Sequence, residues 1–537
     1  MKKFIVLCLA GLLILALAAP GYAQAPKLEF KASGFIDTQT FIGEGVPQYN
    51  SSPGNTDIWG VVNKNYARTA PSGTFGIGSA GWNRTQSNWE GRAHLKFDAV
   101  MGPNLSGTIY FEIDTYRWGG PFNATAISRE ANDFGAWTTD RTAVEVKNIY
   151  IDFGLPYFGI PLPITVRVGA QPLGVRPNML MYTDGTGVTA GIKIDPVLIA
   201  PIYAKALEGL DFADDDVDVW GLHANAKIRT FTVGAYGLCY RMNTYPFFVQ
   251  TGPTVVPAGT SGNTGIINQV PGTYKSHMWW LGAYVDGKAG PVNLNLDFVY
   301  DYGSVDERLS PNVHNVKYEG WATRLKVDYP WEKFNFGAIG MYATGADTRR
   351  TSSSGLPGSL TAGLPGAAGG RQSTRVTSYV TPPGAEQSSA DQESIVVYGM
   401  EPGATGGYGI AHMISYAQVN RGGFGGTWFA KLYGSAKLLP WYKVTVQGLY
   451  IGDTTRHGNT FGNAVKYNNS SLLRDDNSIG FELDLMNDIQ IYNNLRLWVG
   501  AGYLFAGNAL DINNAGLGLN RAATNPWAFR TRLTYTF

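Results

Sequence analysis

Charged and polar side chains recur in this sequence at every second position, opposite apolar ones. In WEGRAHLKFDAV, Glu90, Arg92, His94, Lys96 and Asp98 alternate with Trp89, Gly91, Ala93, Leu95, Phe97 and Ala99. In NLSGTIYFEID, Ser106, Thr108, Tyr110, Glu112 and Asp114 alternate with Leu105, Ile109, Phe111 and Ile113. The same alternation puts Arg167, Lys193, Arg324, Lys326, Asp328, Lys431, Glu482, Asp484, Arg496, Arg530 and Arg532 on the polar faces of their segments. Rows of both signs can form cross-strand ion pairs that stiffen a wall. They can equally orient and filter solutes at a constriction. The sequence leaves both readings open.

Covalent and metal chemistry find little support. The six histidines, at positions 94, 223, 277, 314, 412 and 457, are scattered, with no HExxH and no GxSxG elbow. Of the two cysteines, Cys8 lies in an apolar N-terminal run, which leaves Cys239 without an internal disulfide partner and excludes CxxC chemistry. No haem-attachment CxxCH occurs either. In ADDDVDV, Asp214, Asp216 and Asp218 alternate, but the Gly and distal Glu of an EF-hand loop are missing. A solvated acidic loop is the reading there, with an external cation site as the alternative. The expectation is no enzyme, no cofactor, no metal site and no catalytic residue.

Positioning such rows is the task of strands, because successive side chains of a strand point to opposite faces. The first 25 residues are set aside: two lysines, an apolar run from Phe4 to Ala19 and small residues before a cut after Ala23 or Ala25 form a secretory signal pattern. Charged residues make up 15% of the chain, below the ~25% of typical soluble domains, while aromatics reach 13% and glycines number 68. Without Lys2 and Lys3 the balance is 40 basic against 41 acidic residues, about −1. That near-neutrality argues against a nucleic-acid partner, which needs a basic field.

Eighteen strand candidates begin near residues 28, 89, 104, 142, 163, 187, 198, 217, 230, 277, 291, 316, 333, 425, 441, 478, 494 and 527. Their joins sort into short and long in alternation. Tight turns fall near Gly102-Pro103, Pro196, Thr230, Gly290-Pro291, Pro330-Trp331, Pro440 and Asn493, with 156–163 the longest of the set. Long joins cover 42–88, 117–140, 171–186, 242–276, 345–424, 453–477 and 507–526, with shorter ones near 207–216 and 304–315. This is the habit of a transmembrane antiparallel β-barrel with periplasmic turns at one rim and external loops at the other. In hydrocarbon every backbone polar group must be paired within the protein, so the sheet must close. The fold expected over 26–537 is therefore one all-β barrel of about eighteen strands, sixteen being the lower alternative. It would sit in an outer membrane, with lipid outside and, at that width, an aqueous lumen inside.

Two segments break the alternation. Val144 and Val146 lie on one parity of RTAVEVKNIYIDF while Ile149, Ile151 and Phe153 lie on the other, which a β-bulge near Lys147 reconciles. VDVWGLHANAKI is ambiguous around Val219 and Trp220. The join 345–424 stands apart: TRRTSSSGLPGSLTAGLPGAAGGRQS is Gly/Ser/Pro-rich, whereas IVVYGM and GIAHMISYAQV are apolar enough to order against something. The reading is that part of this loop folds into the barrel mouth and narrows it; an external lid is the alternative.

GRAHLKFDAVMGPNLSGTIYFEIDTYRWGG, followed by VEVKNIYIDF and ITVRVGAQPLGV, resembles homotrimeric outer-membrane porins of sulfate- and metal-reducing bacteria, over about residues 85–245. That resemblance implies passive uptake of small hydrophilic solutes by a trimer, from which the long 345–424 loop departs. IGFELDLMNDIQIYNNLRLWVGAGYLFAG resembles the penultimate hairpin of alginate-export-type barrels, implying export of an anionic polysaccharide through an arginine-rich lumen. Tyr535 and the terminal Phe537 resemble the signal by which barrel-assembly machinery of Gram-negative-type cells recognises its clients. A third class, a barrel sheathing a cytochrome, would need a partner that carries the haem.

Overall fold

A computed structural model describes residues 27–44, 86–115, 117–118, 133–134, 144–155, 163–177, 179–208, 214–243, 274–307, 316–347, 350–351, 371–372, 375–382, 393–400, 410, 424–456, 460, 466–467, 473–474, 476–510, 512–514, 519–521 and 525–537. The signal-like segment, the Gly/Ser/Pro tract over 352–370 and most of GIAHMISYAQV lie outside the described residues.

The wall is built from β1 (Leu28–Glu44), β2 (Gln86–Met101), β3 (Leu105–Thr115), β4 (Glu145–Gly154), β5 (Ile164–Val175), β6 (Met181–Ile194), β7 (Val197–Leu207), β8 (Val217–Ile228) and β9 (Phe231–Met242). It continues through β10 (Tyr274–Ala289), β11 (Val292–Glu307), β12 (Trp321–Trp331), β13 (Phe334–Ala343), β14 (Thr427–Leu439), β15 (Tyr442–Asp453), β16 (Ser478–Tyr492), β17 (Leu495–Ala506) and β18 (Trp527–Thr536). Each strand pairs antiparallel with the next, and β18 returns to β1 in a ladder from Phe35↔Thr536 to Glu44↔Trp527. Gly34 and Phe537 exchange backbone bonds of 2.9 and 3.1 Å at that seam. The result is a closed antiparallel barrel of eighteen described strands.

The two-faced pattern decides which side meets lipid. Leu432 is 71% exposed while the preceding Lys431 is buried, and Phe481 is exposed beside a Glu482 of 0% accessibility. Exposed aromatics gather toward both rims: Tyr329, Trp331, Trp441, Tyr492 and Tyr535 near the short turns, and Trp220, Trp279, Tyr302, Tyr450 and Tyr503 near the loops. Such paired girdles flanking an apolar band mark the two interfaces of a spanning barrel.

The bulge expected near Lys147 is present. Tyr110 pairs with Asn148 and Phe111 with Val146, so Lys147 has no opposite number and turns inward. Val146 and Ile149 can therefore both face outward despite their opposite parity. In β8, Val217 and Val219 face in and are buried, whereas Trp220 and Leu222 face out.

One join departs from expectation. The long join read over 171–186 is a hairpin whose strands run to Val175 and restart at Met181. The β4–β5 ladder ends at Ile149↔Ala170, and the β6–β7 ladder begins at Thr186↔Lys205. Between them Gln171↔Gly185 through Val175↔Met181 pair only with each other. The hairpin tip has left the wall and lies inside, where Leu173, Val175, Met179, Leu180 and Met181 are buried. Gly169 sits at the departure point with φ +131°, and a Cβ there would fall 2.2 Å from the Ile149 carbonyl oxygen. Only glycine fits that approach.

Candidate functional site: the barrel interior

Among the described residues, two chain segments cross the interior, and the inward charges of the wall hold them there. The hairpin tip is fixed at both ends. At its near end Asp184 pairs with Lys147 at 3.0 Å and accepts from Asn148 Nδ2 at 2.8 Å. Lys147 also reaches Glu112 at 3.0 Å, Glu112 contacts His94 Nε2 at 2.5 Å, and His94 Nδ1 contacts the Tyr110 hydroxyl at 2.7 Å. At the far end Arg176 donates to Asp286 at 2.7 Å and to Asp297 at 2.6 Å, across the lumen on β10 and β11. Its guanidinium lies 3.9 Å from the centre of the Tyr284 ring. Burial works against the Arg176 charge, but Asp297 and Asp286 outweigh it and raise its pKa.

The second segment comes from the join between β13 and β14. Residues 375–376 run parallel beside a short strand, Val316–Tyr318, at the outer end of β11. Beyond them the Val380 N–H donates to Asp301 at 3.0 Å, its carbonyl accepts from Trp280 Nε1 at 2.8 Å, and the Tyr379 hydroxyl donates to the Met179 carbonyl at 2.6 Å. That last bond joins the two infolded segments directly. Residues 393–400 follow. Arg324 holds Glu393 through Nε at 3.0 Å and Nη2 at 2.7 Å, and Lys431 donates to the Glu393 carbonyl at 3.0 Å and to its carboxylate. Burial pushes the Glu393 carboxyl up, yet Lys431 and Arg324 prevail and hold it at about 2. The N–H groups of Val396 and Val397 point at Glu482, at 2.5 and 3.0 Å, and that of Ile395 at Asp484, at 3.2 Å. Arg530 closes the segment with a bond to the Gly399 carbonyl at 3.1 Å. Ile395 through Tyr398 are fully buried.

Beneath these segments, toward the short turns, lie two cavities. One of about 320 Å³ sits under the hairpin, lined by Asp152, Thr165, Arg167, Leu173, Thr189 and His223 among others. One of about 560 Å³ sits under residues 393–400, with Arg324, Lys326, Asp328, Lys431, Lys443 and Asp488 in its wall. The larger cavity is lined mainly by charge and amide, the smaller one mixes Asp152, Arg167 and His223 with apolar residues such as Val166, Leu173 and Ile202, and the infolded segments supply an apolar middle.

The sequence-selected residues therefore divide. Glu112 and His94 serve the hairpin; Arg324, Lys431, Glu482, Asp484 and Arg530 serve the 393–400 segment. Arg532 and Asp37 form a buried pair, at 3.0 Å through Nε, across the β18–β1 seam. Arg530 and Arg532, expected to face water, are thus engaged by protein groups instead. Arg167–Asp152 (2.7 Å), Lys96–Asp98 (3.1 Å) and Lys326–Asp328 (3.4 Å) are pairs along the wall. Lys193 and Arg496 lie at the short-turn rim, the latter paired with Asp488. Arg92 stands in register between Asp37 and Asp114, and the Asp114 side chain lies outside the described residues. The acidic run is solvated only at its start: Asp214 is exposed and pairs with Arg241 at 3.3 Å, whereas Asp215, Asp216 and Asp218 are buried, and Lys205 reaches Asp216 at 3.1 Å. Arg176, Asp184, Asp286, Asp297, Asp301 and Glu393 were not singled out. Pro172, a residue without an N–H inside a strand pattern, was the available sign that β5 loses its neighbour there.

No protein-family model matches the chain, and no curated protein does. Among solved structures, the chain is similar to OpdQ of Pseudomonas aeruginosa at 9% identity, covering 95% of this chain and 98% of that one, with a TM-score of 0.45. The outer membrane protein OpdK of the same organism stands at 8%, 95%, 98% and 0.46, and OccAB4 of Acinetobacter baumannii at 9%, 96%, 100% and 0.46. On its own geometry, a closed sheet with an apolar belt between aromatic girdles, the chain is an integral β-barrel of an outer membrane.

Proposed function

We propose that this barrel is a porin: small hydrophilic solutes and ions pass down their gradients through a lumen narrowed by two infolded segments. The observation that carries this reading is the charge-lined cavity of about 560 Å³ beneath a crossing segment that ion pairs tether. Hydrated, charged walls suit polar solutes, and the tethers set the width of the path. No reaction is required of any residue. An arginine-rich export path for a polyanion finds less support, because Arg324, Arg530 and Arg532 are bound by Glu393, Gly399 and Asp37. A sheath for a cytochrome would need the space that Met179, Tyr379 and Ile395–Tyr398 occupy.

The test is reconstitution in planar bilayers, with single-channel conductance and reversal potential in a salt gradient. Discrete conductance steps are expected, and they should enlarge when residues 351–390 are deleted, which removes the Tyr379 and Val380 contacts. Equal conductance before and after deletion would remove the constriction from this reading; absence of any steps would remove the porin.

The assembly belongs to the same proposal. Where the hairpin leaves the wall, β4 from Glu145 to Asn148 has no strand on its β5 side among the described residues. Val144 and Val146 are 61% and 53% exposed beside that notch. Open backbone cannot face hydrocarbon, and a second copy seated over the notch in a homotrimer would cover it. Cross-linking through Val146→Cys should give a discrete oligomer in native membranes; an exclusively monomeric product argues for a single barrel.

A further inference from the structure

We infer that Arg324 and Lys431 form a carboxylate-binding site which the chain's own Glu393 occupies at rest, and for which a small dicarboxylate entering from the short-turn side competes. This rests on the porin reading for its biological sense, although the site itself can be tested without transport.

The geometry is that of a recognition site. Arg324 approaches one Glu393 oxygen through Nε and Nη2, at 3.0 and 2.7 Å, and is steadied by Asn295 on Nη1 at 3.1 Å. Lys431 takes the other carboxylate oxygen. Two donors of fixed direction and one point charge thus read a planar two-oxygen anion. The cations belong to β12 and β14 of the wall. The anion belongs to the join between β13 and β14, so it can part from them without breaking any ladder of the barrel.

A route to the site exists on the same side. The cavity of about 560 Å³ is lined by Glu393, Arg324 and Lys431 themselves, and further on by Lys326 and Lys443. With Glu393 withdrawn, its charged lining would be Arg324, Lys326, Lys431 and Lys443 against Asp328 and Asp488, a net positive wall. Two buried cations without a counter-ion are strongly disfavoured. The segment therefore does not simply leave: its carboxylate is exchanged for another. The contacts of Ile395, Val396 and Val397 with Asp484 and Glu482 form a second anchor that needs no anion from solution; once the Glu393 end is exchanged away, these contacts hold the segment without it, so it stays docked but opens more often, Val396 included.

The experiment uses the full chain in detergent, with Val396→Cys as the reporter in a Cys8→Ser/Cys239→Ser background. Val396 is fully buried at rest. Succinate should accelerate maleimide labelling several-fold and saturably, acetate less, and glycerol not at all. In Glu393→Gln the reporter should label quickly without succinate and gain nothing from it, with Glu393→Asp intermediate. Heat-modifiable gel migration identifies folded barrels in each case. Labelling that ignores succinate, or a Glu393→Gln protein as protected as its parent, overturns the inference. Succinate-dependent labelling in a protein that passes no ions would leave the site standing and remove the porin reading; the converse would do the opposite.

Discussion

Asp37 and Arg532 face each other across the seam where the first strand meets the last, and both are buried. Removing one partner of such a pair leaves an uncompensated charge, which costs about 3–5 kcal/mol, whereas replacing both with apolar residues is often neutral. Asp37→Ala should therefore lower the unfolding free energy by about that amount, and Asp37→Leu with Arg532→Met should recover most of it, read by denaturant titration of the purified barrel. Glu393 gives a pH prediction at the same scale. Its carboxyl sits at about 2 against an ordinary 4.5, so its contribution to docking is complete above 4.5 and is lost as the pH falls toward about 2. Channel current should be steady from neutrality to pH 5 and become larger or noisier by about pH 3. In Glu393→Gln this step should vanish; persistence of the same step would assign it to other carboxylates.

At the scale of elements, the decisive feature is a hairpin that belongs to the wall for half its length and to the lumen for the rest. Gly169 permits the turn away from β4, Pro172 has no N–H to leave unpaired, and Gln171 plugs the fork by donating to the Gly187 carbonyl at 2.9 Å and accepting from Thr189 at 2.8 Å. Gly169→Val places a side chain against the Ile149 carbonyl and a branched residue in a left-handed conformation, a strain on the order of 1–3 kcal/mol. The expected outcome is a folded barrel with a displaced hairpin, seen as greater protease sensitivity near Arg176 at little change in total strand content. A variant as protected as its parent would mean that the ion pairs at Asp184 and Arg176 alone hold the tip in place.

The ring of strands closes at the seam between β18 and β1. Phe537 exchanges two backbone bonds with Gly34, and with Tyr535 it is exposed on the outer face near the short-turn rim. Deleting Phe537 tests two roles at once. If Phe537 acts chiefly as an assembly signal, the deletion should reduce the folded barrel recovered from outer membranes far more than the yield of refolding into detergent. Equal losses in both would assign Phe537 to the seam alone. The barrel scale also explains how an interior with so many charges stays stable: among the described residues, most inward ions meet a partner on the same strand, on a neighbouring one or on a segment threaded through the middle.

The sequence by itself determined the wall. Side-chain period two, turn residues and loop lengths are local, so strand starts read at 28, 217, 478 and 527 coincide with Leu28, Val217, Ser478 and Trp527, and the Lys147 bulge follows from one broken alternation. The start read at 187 differs: the strand continues upstream, to Met181, inside the barrel, and that signal is not local. The start read at 316 coincides with Val316, where the short strand Val316–Tyr318 prolongs along β11 the ladder that β12 begins at Trp321. What fills the lumen was decided only by tertiary structure: Arg176 finds Asp286 and Asp297 more than a hundred residues away, and Glu393 finds Arg324 and Lys431. Inward charge can be read from parity, but whether that charge meets water or another part of the chain depends on which segments the closed ring brings within hydrogen-bonding distance.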